Sequence, residues 1–90
     1  MELTHVADSG RWLALNDEVQ IGELIYQVDN NVMTISHAEV EPFYRGNKIA
    51  EELVLAAIRQ ARDNGWKVVP ACSFAKTVFD RYPSEQDMLA

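Results

Sequence analysis

Residues 37–61 read HAEVEPFYRGNKIAEELVLAAIRQA, and the signals in this stretch come in the order strand, turn, helix. A β-rich run from Val32 to Val40 ends at Glu41-Pro42, where proline removes a backbone donor and stops a ladder. The turn Arg45-Gly46-Asn47-Lys48 follows. From Gly46 onward Ile49, Leu53, Ala57 and Ala61 recur at spacing four, with Ala50, Val54 and Ile58 beside them, which makes one broad apolar stripe on a long helix. Asn64-Gly65 stops that helix in the left-handed manner. The first N–H groups of a helix lack intrahelical partners and lie at the positive end of its dipole, so a glycine turn feeding a helix suits an anion. Gly46 serves equally well as a plain tight corner.

Reading outward, the run 32–40 places Met33, Ile35, His37 and Glu39 on one side and Val32, Thr34, Ser36, Ala38 and Val40 on the other, provided no bulge intervenes. Upstream, Asp8-Ser9-Gly10 marks a turn and Arg11 to Leu15 alternates as a first strand. Asn16-Asp17-Glu18 turns the chain into a second strand, Val19 to Val28, and Asp29-Asn30-Asn31 turns it into the third. Strands joined this tightly pair antiparallel. Downstream of the helix, Trp66 to Val69 reads as a strand parallel to the third through a right-handed crossover. Pro70 is expected to end that pairing and let the two strands diverge. A short helix covers Ser73 to Tyr82, closed by Pro83, and the polar remainder is expected to fray. The fold class is therefore mixed α/β.

The chain has 90 residues, fourteen acidic side chains against eight basic ones and a net charge of −6. That length makes one domain spanning 1–90. The acidic balance argues against nucleic-acid or anionic-membrane partners, so an anionic ligand needs a local basic patch, for which Arg45, Lys48 and Lys76 are the candidates. One cysteine forms no internal disulfide, and there is no secretory leader or membrane-length apolar run, so a cytoplasmic location is expected. His5, His37, one cysteine and scattered carboxylates have no metal-ligand spacing, and no metal is expected.

Two side chains carry reactive chemistry. Cys72 lies between a strand end and a helix start, where the helix favours a thiolate able to attack a thioester; a free cysteine is also commonly a small buried hydrophobe. His37 is either a general base or a histidine bonded to a neighbour. Arg45 and Lys48 are either anion contacts or solvated turn charges.

Tyr44-Arg45-Gly46-Asn47-Lys48-Ile49-Ala50 with a leucine-rich helix behind it resembles the pyrophosphate loop of the GNAT acetyltransferases, Arg/Gln-x-x-Gly-x-Gly/Ala. Arg45 and Ala50 match its ends, and Lys48 stands where the inner glycine belongs. Val68-Val69-Pro70-Ala71-Cys72-Ser73-Phe74-Ala75-Lys76 resembles the cysteine-bearing segment of the small YjdJ-type branch of that superfamily, and His37 with Val40 resembles its strand motif before the loop. The resemblance covers roughly residues 11–83. It implies a minimal GNAT-like fold with three antiparallel strands, a long cofactor helix, one parallel strand and a short C-terminal helix. It further implies acetyl-CoA or coenzyme A held by Val40, Arg45, Gly46, Asn47, Lys48, Ile49, Ala50, Ser73 and Lys76, with Cys72 facing the acyl end and His37 or Glu39 available as base if the strand bulges after His37. Tyr82 lies on the helix where larger members carry a proton-donating tyrosine, although Phe74, Val78 and Tyr82 at spacing four suit packing. The implied activity is acetyl transfer to an unidentified amine; the alternative is a CoA-binding or partner-binding module without catalysis. Nothing in the chain matches the acceptor-shaping helices of larger members, so that side is open or completed by another chain, a homodimer included.

Overall fold

The computed structural model describes residues 1–46 and 48–90. Its sheet holds β1 (Glu2–Val6), β2 (Arg11–Asn16), β3 (Val19–Asp29), β4 (Val32–Val40) and β5 (Lys67–Pro70), in that spatial order. β1 through β4 pair antiparallel, and β5 joins β4 in parallel. Helix α1 (Ile49–Asn64) makes the crossover and α2 (Ser73–Arg81) follows β5. This is the mixed α/β order expected, with one strand added in front.

That added strand, β1, shows no clear alternation because polar contacts hold it. His5 pairs with Trp12 and stacks on its indole at a centroid distance of 4.5 Å. Its Nε2 is 2.7 Å from the Tyr26 hydroxyl, which also accepts from Gln60 Nε2 at 3.1 Å, while Gln60 Oε1 accepts from Trp12 Nε1 at 2.9 Å. β1, β2, β3 and α1 thus meet in a side-chain network that hydrophobic periodicity does not reveal.

In β4 the pairing jumps from Ile25↔His37 to Tyr26↔Ile35, which leaves Ser36 as an extra residue. Its hydroxyl donates to Ile25 O at 3.2 Å and accepts from Gln27 Nε2 at 3.1 Å. A bulge flips the side-chain phase. Met33 and Ile35 are buried before it, Ala38 and Val40 after it, so the assignment of His37 and Glu39 to the Met33 face is corrected. The bulge precedes His37 rather than following it.

The stripe on α1 buries Ile49, Leu53, Val54, Ala57, Ile58 and Ala61 against Ala14, Leu24, Met33, Ile35 and Val68. Gly65 ends the helix at φ 73°, with Trp66 N–H donating to Ala61 O at 2.8 Å. The helix proper starts at Ile49, three residues after Gly46.

Pro70 stays within the parallel ladder opposite Ile35. Lys67 and Ala71 donate to Asn31 O and Ile35 O, so the alternate position, Pro70, points its nitrogen off the sheet, where no donor is needed. The strands therefore diverge after Pro70 and not before it. The terminal segment does not fray: Met88 is buried, Ala90 N–H donates to Val68 O at 2.9 Å, and Arg62 holds Asp87 and Glu85. A polar composition concealed one buried methionine and two ion pairs.

Candidate functional site

Where β4 runs beyond the end of β5, its last residues lack a partner on that side, and the first turns of α1 and the flank of α2 close around the gap. The result is a cavity of ≈ 420 Å³. Val40 and Tyr44 form one wall, with Arg45, Gly46 and Lys48 at the mouth. Ile49, Ala50 and Glu51 from the first turn of α1 form the floor. Phe74, Thr77, Val78 and Arg81 form the remaining wall; their spacing of i, i+3, i+4, i+7 is one face of a helix.

The loop geometry leaves first-turn amides free to meet an anion. Gly46 has φ +90°, Lys48 caps α1 in the left-handed region at φ 61°, and its side chain makes no capping bond. The helical ladder begins with Glu52 N–H to Lys48 O at 3.0 Å, so the amides of the first turn have no intrahelical acceptor. Arg45 Nε donates to Val40 O at 3.2 Å, which folds the guanidinium back across the end of β4. Asn47, an expected loop contact, lies outside the described residues.

Glu51 is the feature sequence reading missed. It is 9% exposed, a charged residue buried in the core-facing half of α1. Arg81 Nη1 donates to its Oε1 at 2.5 Å and the Tyr82 hydroxyl to its Oε2 at 2.7 Å. The Tyr82 hydrogen bond, then that of Arg81, holds the Glu51 carboxyl below its usual 4.5. The same carboxylate pushes the Tyr82 hydroxyl above its usual 10.0. The Tyr82 hydroxyl is thus already engaged with a carboxylate in this structure.

The sign of each shift fixes a pH window. Glu51, with its folded pKa lowered, contributes stability that is present above about 4.5 and lost as pH falls through the lowered value. Tyr82, with its folded pKa raised, contributes stability that is present below about 10 and lost as pH rises through the raised value. Tyr82→Phe is therefore expected to shrink the alkaline fall in the denaturation midpoint relative to wild type. An identical alkaline profile in the two proteins would unlink Tyr82 from it.

The remaining expected site residues fall elsewhere. Cys72 is half-buried against the core and precedes α2, its carbonyl accepting from Lys76 N–H at 3.1 Å. Neither Cys72 nor Ser73 nor Lys76 is among the cavity residues, although all three sit at the β5–α2 junction beside the diverging strands. His37 is on the face of β4 opposite Val40, its Nε2 3.4 Å from Glu39 Oε2. Val40, Arg45, Gly46, Lys48, Ile49 and Ala50 are brought together. Among the described residues, no three His, Cys, Asp or Glu side chains gather as a metal site.

The GCN5-related N-acetyl-transferase model matches residues 11–88. The chain belongs to the GCN5-related N-acetyltransferase family. Among solved structures, a GCN5-like protein of Staphylococcus aureus determined by NMR is 27% identical, with a TM-score of 0.72 over 99% of this chain and 87% of that one. The ribosomal-protein-S18-alanine N-acetyltransferase of Escherichia coli gives 0.67 at 17% identity, over 79% of this chain and 49% of that one. An aminoglycoside N-acetyltransferase solved in complex with CoA gives 0.59 at 20% identity, over 79% and 63%. These last two likenesses concern the fold alone. None of the curated proteins matches this chain. Among the described residues of this GCN5-related acetyltransferase domain, no helix is long and apolar enough to cross a membrane.

Proposed function

We propose that residues 1–90 form one acyl-CoA-binding domain that transfers an acetyl group from acetyl-CoA to an amine in the cytoplasm. The observation that carries this reading is the cavity at the start of α1. Arg45, Lys48 and Arg81 line it, three of only eight basic side chains in a chain of net charge −6. The apolar lining from Val40, Ile49, Phe74 and Val78 suits a long, weakly polar arm joined to a polyanion, which is the make-up of coenzyme A. Acetyl-CoA supplies the activated acetyl thioester. The protein supplies unpaired first-turn amides and cations for the diphosphate, and the free edge of β4 after Ser36 for amide groups. Orientation of this kind lowers a barrier without a dedicated base.

The small YjdJ-type branch, with Cys72 beside the acyl end, is the finer form of the proposal. The route through Cys72 expects intact mass to show one acetyl group on this residue after incubation with acetyl-CoA, and Cys72→Ala to lose amine acetylation. Full activity in Cys72→Ala with no adduct in wild type would assign transfer to direct attack by the amine. The second reading, CoA binding without transfer, is favoured by His37 and Cys72 standing apart from the cavity wall and by the engagement of Tyr82 with Glu51. Binding of CoA with no acetylation across an amine panel would select it.

Lys48 separates backbone from charge. Its backbone already has the left-handed conformation a glycine would adopt, so Lys48→Gly is expected to raise stability by roughly 0.5–1 kcal/mol, relief of φ strain exceeding the entropy glycine loses on folding. CoA binding should nevertheless weaken and depend less on salt, because a cation is gone. Tighter binding by the glycine variant would make the lysine a hindrance.

A further inference from the structure

Resting on the CoA-binding reading, we infer that Arg81 is a diphosphate-binding residue, set in place by Glu51, so that the phosphate site is shared between α1 and α2. Position, geometry and charge converge on it.

Glu51 occupies the third position of α1, in the turn whose amides lack intrahelical acceptors. Arg81 reaches it from the last position of α2 and also lines the cavity. One guanidinium nitrogen is used on Glu51; the others make no protein hydrogen bond among the described residues, and the side chain is 57% exposed. An arginine anchored at one edge of its fork presents the other edge in a fixed direction, which is how planar recognition of phosphate oxygens is achieved.

The charges agree with this direction. A carboxylate at the first turn of α1 would by itself repel a diphosphate, but Glu51 is already neutralised by Arg81 and bonded by Tyr82. With that pair cancelled, the net positive charge facing the cavity is that of Arg45 and Lys48, and Arg81 adds the unused N–H donors of its fork. The cavity face of α2 reads in the same sense. Phe74 and Val78 are apolar near the strand ends, and Arg81 lies at the far end beside the start of α1. A ligand lying along that face has its polyanion at the arginine. Tyr82 helps hold the carboxylate that holds Arg81, so Glu51 and Tyr82 are positioning residues.

The test is isothermal calorimetry with two probes, CoA and dephospho-CoA, at two salt concentrations. Arg81→Gln keeps an amide able to donate to Glu51 while removing the charge, and Arg81→Lys keeps the charge while removing the fork; thermal melting establishes that each is folded. Arg81→Gln is expected to weaken both probes about tenfold and to reduce the salt dependence, with Arg81→Lys between it and wild type. The Glu51→Gln/Arg81→Gln pair, which leaves no bare carboxylate beside the ligand, is expected to keep that loss; recovery of wild-type affinity in the pair would overturn the assignment by tracing the loss to an unmasked Glu51. Wild-type affinity and salt dependence in a folded Arg81→Gln would overturn the assignment, as would a loss confined to CoA, which would move Arg81 to the 3′-phosphate. Failure of wild type to bind either probe would instead refute the CoA-binding reading on which the assignment rests.

Discussion

Replacing Gly46 by aspartate is expected to weaken CoA binding on the order of 100-fold. The residue lines the cavity with φ +90°, and among the described residues beyond its chain neighbours no atom lies within 4 Å of a Cβ built there. The space is thus open in the protein and available to a ligand. In the proposed CoA-binding mode a carboxylate in it stands beside the diphosphate, where two like charges in partly screened surroundings cost several kcal/mol. Gly46→Asn carries the same backbone burden, since Asn and Asp tolerate positive φ better than other side chains, yet adds no charge. The difference between the two variants in calorimetry therefore isolates electrostatics from backbone strain. Equal affinities for Asp and Asn variants would remove the phosphate from this loop.

Gly10→Ala has the largest expected effect on stability, roughly 2–5 kcal/mol. Gly10 has φ +64°, and an added Cβ would lie 2.6 Å from the backbone oxygen of Tyr26. Neither residue is free to yield: Gly10 O accepts from Tyr26 N–H at 2.9 Å, and Tyr26 belongs to the network joining His5, Trp12 and Gln60. The clash is with backbone, so rotamer adjustment does not relieve it. Urea denaturation compares the variant with wild type, and a loss below about 1 kcal/mol would mean that the turn at Gly10 moves as a unit without cost.

These two glycines show what the sequence does and does not disclose. Both announce a turn, and Gly46 with its loop also carries a local pattern suited to an anion. The close approach of Tyr26 to Gly10 joins residues far apart in sequence and has no local signal. The same holds for Glu51. Third helical positions favour carboxylates for the dipole, so its identity looks ordinary, and only the packing of α2 against α1 makes it a buried partner of Arg81 and Tyr82. The cavity face of α2 was legible in principle from Phe74, Thr77, Val78 and Arg81, but the competing pattern Phe74, Val78, Tyr82 directs attention to the core. Ser36 illustrates the limit of strict alternation: one extra residue reverses every later side chain in β4, so that His37 and Ala38 exchange faces. The long helix, its stop at Gly65 and the order of the last three strands needed only periodicity and turn chemistry.

The spatial order of the strands is also their order along the chain, and this bears on how the molecule assembles and opens. The antiparallel meander from β1 to β4 forms through hairpin contacts of short range, which are kinetically inexpensive. Only the β4–β5 pairing spans a long loop of chain, and only after α1 has crossed the sheet can α2 arrive to complete the cavity. The cavity between α1 and α2 therefore closes on contacts of long sequence separation. A local opening that releases α2 and the segment through Ala90 exposes the cavity while leaving the meander paired, and a molecule bound between α1 and α2 selectively suppresses that opening. Amide hydrogen exchange should accordingly slow in α2 and residues 83–90 when CoA binds, far more than in β2 or β3.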